Sequence, residues 1–262
     1  MSIRYIIPLM KVTIMELLRM KVFGVLTLFS LLLMLTPCLP LPHFGAMADV
    51  DAELRLCQST AMGALTLFAV VFAMTSTAVL LPKDMEDRVV YTILYKPISR
   101  LDYLVGKCLG VLSVITLSLL LMSGLMFCVL STKAPLTAQI LPLLGGVLAL
   151  WGKSCVIVSL TLCLSTISSS TLFTLIITTL TYFIGHYVGA FGHVANVEGG
   201  TLQGIQYALL IFPDFSLYNV MDASLVGEVI PLTVLLKLAV ITGIYCGIYL
   251  ILAWLAFARK EF

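Results

Sequence analysis

Long apolar runs alternate with short polar stretches along the whole chain, and the length of these runs is the first structural signal. A helix that crosses a bilayer needs about 20 residues that are mostly apolar. Alternation in units of about ten residues, which is typical of membrane barrels, is absent. The pattern therefore predicts six membrane-spanning helices, at about residues 21–40, 61–81, 103–130, 141–166, 170–190 and 233–257.

The segment before the first run, residues 3–19, has a different pattern. Its apolar residues recur at helical spacing, and Arg4 and Lys11 share another face. This pattern predicts an amphipathic helix in the membrane interface, with Pro8 as a place where it could bend. Its charged residues argue against a simple extension of the first span. The apolar positions are Ile3, Ile6, Ile7, Met10, Ile14, Leu17 and Leu18.

One polar stretch, from Pro82 to Lys107, carries dense charge of both signs between the second and third runs. Each such charge would cost roughly 2.5–3.5 kcal/mol at the centre of a bilayer, so we expect the stretch to lie in water. It can form a short helix over 85–95 that ends at Pro97, and Ser99 with Asp102 predicts a capped start of the next helix. A rigid arrangement of a helix, a bend and a second helix indicates a segment that docks to a partner, not a solvated connector.

Composition agrees with a membrane protein and also indicates its orientation. Hydrophobic residues make up 61% of the chain and charged residues 11%, whereas soluble domains have about 25% charged residues. Of the fifteen lysines and arginines, eleven lie in the N-terminal segment, the stretch 82–107 or the C-terminal tail. We therefore expect both termini and this stretch to be cytoplasmic, in the cell inner (plasma) membrane. The net charge of +2 gives no reason to expect a nucleic-acid partner.

Two segments outside the long runs are also informative. Residues 191–232, predicted on the outer side, are too apolar for a free loop. We expect one or two short helices folded against or partway into the outer leaflet, since irregular backbone there must be covered by protein or water. Residues 165–171 are predicted to form a very short inner turn, which makes the fourth and fifth spans a tight hairpin.

Few side chains suggest chemistry within the spans. Lys153 could extend outward beside Trp151 or face a transport pathway as an intramembrane charge. His186 is a second possible pathway residue, although a lone histidine near a membrane edge is more often a packing residue. Cys38 and Cys57 could pair if the outer side is oxidising, or remain thiols. The spacing of His and Cys residues predicts no metal site and no resident cofactor.

The stretch 82–107 carries a recognisable order of features. An acidic segment and a short helix precede the bend Lys96-Pro97-Ile98-Ser99-Arg100, and Gly106-Lys107 opens the next span. This order resembles the signature of type-2 ABC exporter permeases, the NosY-like branch especially. The matching residues are Glu86, Arg88, Tyr91, Leu94, Lys96, Pro97, Ser99, Arg100, Gly106, Lys107 and Gly110.

The resemblance implies an all-α, single-domain permease over residues 1–262 that is not itself an enzyme. A second permease copy, identical or related, and a separate ABC ATPase that holds ATP and Mg²⁺ would complete the transporter. The loop 82–102 would be the coupling helix that contacts this ATPase, and the cargo would be lipid-like, a polysaccharide, a drug or a maturation factor. The residues implied in coupling are Glu86, Arg88, Tyr91, Leu94, Tyr95, Lys96, Pro97, Ser99, Arg100 and Lys107.

Two other functions remain compatible with an apolar chain of several spans. A secondary transporter or channel without an ATPase usually has intramembrane acids or broken helices near the midplane, and the predicted spans contain almost none. An intramembrane enzyme needs a catalytic set, and the sequence offers only Lys153 and His186 without an obvious acid partner. The ATP-driven permease is therefore the favoured hypothesis.

Overall fold

A computed structural model describes residues 3–35, 50–86, 99–131, 140–168, 170–197, 213–219 and 230–258. These residues form seven α-helices and one short 3₁₀ helix, Ser216–Tyr218, and the described part of the chain contains no β-strand. The α-helices are α1 Ile3–Arg19, α2 Lys21–Leu35, α3 Val50–Glu86, α4 Arg100–Ser131, α5 Ile140–Ile167, α6 Thr171–Val197 and α7 Leu232–Ala258.

Helices α3 to α7 are each long and apolar enough to cross a membrane. Helices α1 and α2 meet at a bend of 64° and qualify as a sixth span only when they are taken together. The all-α integral membrane fold is therefore confirmed, with five or six candidate spans within the described residues.

Pro8 lies within α1, which continues to Arg19, and the bend of 64° separates α1 from α2 at Met20. One face of α1, which includes Leu9 and Leu17, is buried against α4. Apolar residues on other faces are exposed, including Ile7 and Leu18, which the sequence analysis placed on a single stripe with Leu17. Two apolar faces allow α1 to pack on the bundle and still present apolar side chains to a membrane interface.

Helix α3 is longer than the predicted second span at both ends. It begins at Val50, eleven residues before the predicted start of the span. It passes Pro82 and ends at Glu86, although proline lacks an N–H and usually stops a helix. The turn after Pro82 is held by contacts of Lys83 and Asp84 to other helices. Residues 82–86 therefore belong to the bundle and not to a separate loop.

Helix α5 is the centre of the bundle. It is apolar on all sides and buried along most of its length, which is typical of a helix surrounded by others. Helices α3, α4, α6 and α7 all pack against it. Helices α6 and α7 expose large apolar side chains on their outer faces. In a membrane these faces suit lipid or another permease chain.

The connection between α5 and α6 is as short as predicted. Helix α5 ends at Ile167 and α6 begins at Thr171, so the two form a tight hairpin. Helix α6 extends to Val197, beyond the predicted end of the fifth span at 190. Of the segment 191–232, the structure otherwise describes Pro213–Asn219 and the residues from Ile230 onward.

Candidate functional site

The predicted coupling stretch is described only at its two ends. Glu86 is exposed and ends α3, while Ser99 precedes α4 and Arg100 is its first residue. Residues 87–98 lie outside the described residues, so the roles of the other implied residues there stay predictions. Those residues are Arg88, Tyr91, Leu94, Tyr95, Lys96 and Pro97.

The start of α4 is capped as the sequence predicted. The backbone N–H of Asp102 donates to Ser99 Oγ at 3.1 Å, and the N–H of Tyr103 donates to the Ser99 carbonyl oxygen at 3.2 Å. The first contact satisfies an N–H group that has no backbone partner in the first helical turn, and the second is the first backbone hydrogen bond of the helix. The cap therefore fixes the point at which residues 87–98 rejoin the bundle.

A group of charged and polar side chains ties α1, α3 and α4 together; we call it the charge cluster. Lys107 Nζ lies 2.7 Å from Asp84 Oδ2 and 3.5 Å from Glu16 Oε2. The Tyr103 hydroxyl donates to the same oxygen of Asp84. At the surface, Lys83 Nζ lies 2.9 Å from Glu16 Oε1. Two cations and two carboxylates balance, so the cluster brings no net charge into the bundle.

Lys107 itself is turned inward, with only 3% of its side chain exposed. Burying a lysine is costly unless its charge is compensated by close, hydrogen-bonded partners. Asp84 and Glu16 provide that compensation. Any effect of Lys107 on coupling is therefore expected through the position of α4 relative to α1 and α3, not through its own contact with an ATPase.

Arg100 joins the start of α4 to the end of α7. Its Nη1 donates to the carbonyl oxygens of Phe257, at 2.8 Å, and Ala258, at 2.9 Å. The guanidinium also lies 6.0 Å from the centre of the Phe257 ring, on which Tyr103 stacks. The last carbonyls of a helix lack intrahelical partners and carry partial negative charge, so a cation there is stabilising.

Two motif glycines let α1 approach α4 closely. A methyl group on Gly110 would lie 2.6 Å from Thr13 Cβ, and one on Gly106 would lie 3.0 Å from Leu9 Cβ. Both distances are shorter than an ordinary van der Waals contact. Small residues at helix contacts are typical of membrane bundles. Here they place Glu16 within reach of Lys107.

The second candidate region lies in the middle of the bundle, around Lys153. This lysine is also 3% exposed, so it does not extend outward to the surface beside Trp151. Its Nζ lies 5.1 Å from the centre of the Tyr182 ring on α6, a cation–π contact. The Trp151 indole instead donates to Thr116 Oγ1 on α4, at 2.8 Å.

His186 lies beside the same aromatic ring. It stacks on Tyr182, with ring centres 6.2 Å apart, and contacts Tyr187 edge-on. Its Nδ1 is buried and has no hydrogen-bond partner within the part of the chain that the structure describes. The structure thus brings the two predicted pathway residues, Lys153 and His186, to one tyrosine.

The segment Pro213–Asn219 inserts part of its length into the bundle. Phe215 is fully buried, and its N–H donates to the Gly185 carbonyl oxygen of α6 at 2.9 Å. A methyl group on Gly185 would lie 2.3 Å from the Pro213 carbonyl oxygen, so only glycine allows this approach. Protein thus covers Phe215 and Tyr218, whereas Leu217 and Asn219 are exposed.

Tyr218 fixes the other end of this segment. Its hydroxyl lies 2.7 Å from Thr242 Oγ1 on α7, and its ring would contact a methyl group placed on Gly152 of α5. Together with Asn219, Tyr218 lines a cavity of about 40 Å³ that also includes Lys153.

Comparison with known proteins identifies the family. The family model described as "ABC-2 family transporter protein" matches residues 9–262, which is nearly the whole chain. The chain belongs to the ABC-2 transporter family. It is therefore a multi-pass membrane subunit of ABC-2 permease type. A search of curated proteins gave no match.

Sequence reasoning about this ABC-2 permease missed several residues that the structure makes central. Glu16 was interpreted only as a charge on an interfacial helix, and Asp84 only as one of the charges of the docking stretch 82–107. A signal was available, because Asp84 and Lys107 lie near the facing ends of consecutive helices and bear opposite charge. Tyr182 and Phe257 carried no such signal, since their importance depends on packing between helices distant in sequence.

Proposed function

We propose that this ABC-2 permease is the membrane subunit of an ATP-driven exporter whose ATPase is a separate chain that binds ATP and Mg²⁺. ABC-2 permeases generally work with an ABC ATPase and often dimerise, so a second permease copy, identical or related, belongs to the working unit. The distribution of basic residues supports an orientation in which both termini and the stretch 82–107 face the cytoplasmic side of the inner (plasma) membrane.

The observation that carries the proposal is how the ends of α3 and α4 are held. The charge cluster joins these two ends to each other and to α1. Arg100 joins the start of α4 to the end of α7. Residues 87–98 therefore emerge from a platform made of four helices. A push on these residues would be transmitted to the helices together.

This arrangement suits a coupling mechanism in which work comes from another chain. A partner that contacts residues 87–98 differently before and after ATP hydrolysis would shift the equilibrium between two packings of the bundle. Stiff connections are needed, because a flexible platform would absorb the movement locally. Buried, charge-compensated contacts such as that between Lys107 and Asp84 provide this stiffness.

Gentle solubilisation of native membranes and purification of the full chain test the proposal. We expect an ABC-type ATPase, identified by mass spectrometry and by ATP hydrolysis, to co-purify with the wild type. Lys96→Glu is expected to reduce its recovery at least tenfold, and Pro97→Ala to leave it bound but uncoupled from transport. Lys133→Glu, on the predicted outer side, serves as the matched control. The proposal is wrong if no ATPase associates, or if Lys96→Glu and Lys133→Glu behave alike.

One observation favours a second candidate, a secondary transporter. The middle of the bundle combines a buried lysine with irregular backbone at Pro213–Asn219, features that secondary transporters share. Ion-driven flux by the purified chain in vesicles, without an ATPase or ATP, would favour this function. Flux that depends on the ATPase would favour the exporter.

A further inference from the structure

Lys153 lies near the middle of a membrane-spanning helix. It is thirteen residues after Ile140 and fourteen before Ile167, the two ends of α5. At about 1.5 Å of rise per residue, this is about 20 Å from each end. A buried charge at that depth is rare and costly, and such residues usually serve a substrate or ion pathway.

No carboxylate within the described side chains compensates this charge. The ion pairs there involve Lys83 and Lys107, and both use Glu16 or Asp84 at the other candidate region. Asp214, in the segment nearest to Lys153, accepts hydrogen bonds from the N–H and hydroxyl of Ser216. The partner of Lys153 in this part of the structure is the ring of Tyr182.

The cavity beside Lys153 has the size of one small polar group. Its volume of about 40 Å³ would hold two or three water molecules, since one needs at least about 10–15 Å³. Thr66, Tyr218 and Asn219 supply polar groups to its wall, while Met62 and Leu150 supply apolar surface. Lys153 is buried and Asn219 is exposed, so the cavity lies between the interior and the surface.

We propose that Lys153 binds the carboxylate or phosphate group of a transported amphiphile, an inference that rests on the proposed function as a permease. The lysine ammonium donates hydrogen bonds and neutralises the anionic group. Met62 and Leu150 give the cavity wall apolar surface next to the ammonium, so an anionic group that carries an apolar part would contact both. The substrate class is therefore an anionic amphiphile.

Thermal unfolding of the purified full-length chain in a non-ionic detergent tests the proposal. The probes are dodecyl phosphate and dodecanoate, with dodecanol as the uncharged analogue and inorganic phosphate as the free anion. We expect the two amphiphilic anions to raise the Tm of the wild type and of Lys153→Arg but not of Lys153→Met. Lys237→Met, which removes an exposed lysine of α7, should respond like the wild type.

The probes also distinguish an anionic headgroup of a cargo from a free anion. A cargo headgroup predicts half-maximal stabilisation by dodecyl phosphate at a concentration at least tenfold below that of inorganic phosphate. Equal concentrations would mean a site for free anions and would overturn the assignment to an amphiphile. Equal stabilisation by dodecanol would mean apolar association only and would overturn the proposal entirely.

The Tm of each variant without any probe shows whether the substitution itself damages the fold. Lys153→Met loses the contact with the Tyr182 ring but leaves no described carboxylate unpaired, so its Tm should fall much less than that of Lys107→Met, which leaves Asp84 unpaired. A fall as large as that of Lys107→Met would mean that the chain itself supplies a counter-charge to Lys153, and the proposal would be wrong. The result is independent of ATPase co-purification, so failure of the exporter hypothesis and failure of this inference are distinguishable.

Discussion

Lys107 and Lys153 are equally buried, each with 3% exposure, but their surroundings differ. Lys107 lies between Asp84 and Glu16, in contact with charges that its own chain supplies. Lys153 lies over the ring of Tyr182 and beside a small cavity. The same residue type at the same burial therefore serves two purposes. One lysine completes a structural contact, and the other meets no carboxylate among the described side chains, which is why we assign it an anionic group of the cargo.

The difference also separates the two regions by their expected mechanical roles. The charge cluster and Arg100 connect four helices at the end of the bundle where residues 87–98 emerge, which favours stiffness. The middle of the bundle contains a cavity and the inserted segment Pro213–Asn219, which favours binding and rearrangement. A transporter driven by a partner needs both properties in one chain.

The largest effect is expected when the compensated lysine is removed. Lys107→Met leaves Asp84 buried without its cation, and breaking a buried pair in this way costs about 3–5 kcal/mol of folding stability. Thermal unfolding in detergent measures it. Lys83→Met, which breaks a pair whose lysine is 46% exposed, should cost only about 0.2–1 kcal/mol. Equal losses in the two variants would remove the distinction between the buried and the surface contact.

The next effect concerns the inserted segment. Gly185→Ala would place a methyl group against the Pro213 carbonyl oxygen, and overpacking of this kind costs about 1–3 kcal/mol. Gly243→Ala on α7 is the control, because a methyl group there meets nothing within 4 Å and alanine favours helix by about 1 kcal/mol. Opposite shifts in Tm are expected. A neutral Gly185→Ala would mean that the segment does not sit tightly in the bundle.

A smaller and more local effect is expected at the junction of α4 and α7. Arg100→Gln removes the cation from the end of α7 and should cost about 1–2 kcal/mol, since the arginine is only partly buried. Hydrogen exchange should show faster amide exchange in the last turn of α7. Arg55→Gln, a change of an exposed arginine on α3, should leave that turn unchanged. Unaltered exchange in Arg100→Gln would contradict the proposed connection.

The smallest effect is expected at Tyr218, in the wall of the cavity beside Lys153. Tyr218→Phe removes the hydroxyl contact with Thr242 and should cost about 0.5–1.5 kcal/mol. Thr242 keeps its bond to the Leu238 carbonyl oxygen, so no buried donor is left unsatisfied. Tm and the binding of dodecyl phosphate measure the result. A loss of binding far larger than the loss of stability would make Tyr218 part of the anion site, not only of its frame.

Local sequence patterns predicted the fold well where the structure of a segment depends only on its own helix. Apolar runs of sufficient length gave the spanning helices, and the hydroxyl of Ser99 correctly marked the start of α4. The same reasoning was wrong at Pro82, where contacts to α1 and α4 maintain a helix that proline would otherwise end. Tertiary contacts override a local signal of this kind, and the sequence of one segment does not show them.

The candidate sites were less accessible to sequence reasoning. Lys153 and His186 stood out because polar residues are rare in apolar spans, but their common neighbour Tyr182 did not. The coupling role that the resemblance implies for Arg100 stays a prediction, and nothing in the sequence indicated its contact with the end of α7. Which helices lie side by side determines such roles, and spacing along the chain does not reveal it.

The bond between Arg100 and Ala258 has a practical consequence for anyone who labels this protein. A bulky fluorophore attached to the last turn of α7 would lie against the start of α4 and would disturb the contact between the two helices. Lys237, an exposed residue 21 positions before Ala258 on α7, is about 30 Å away along the helix. A fluorophore attached there would leave the junction intact.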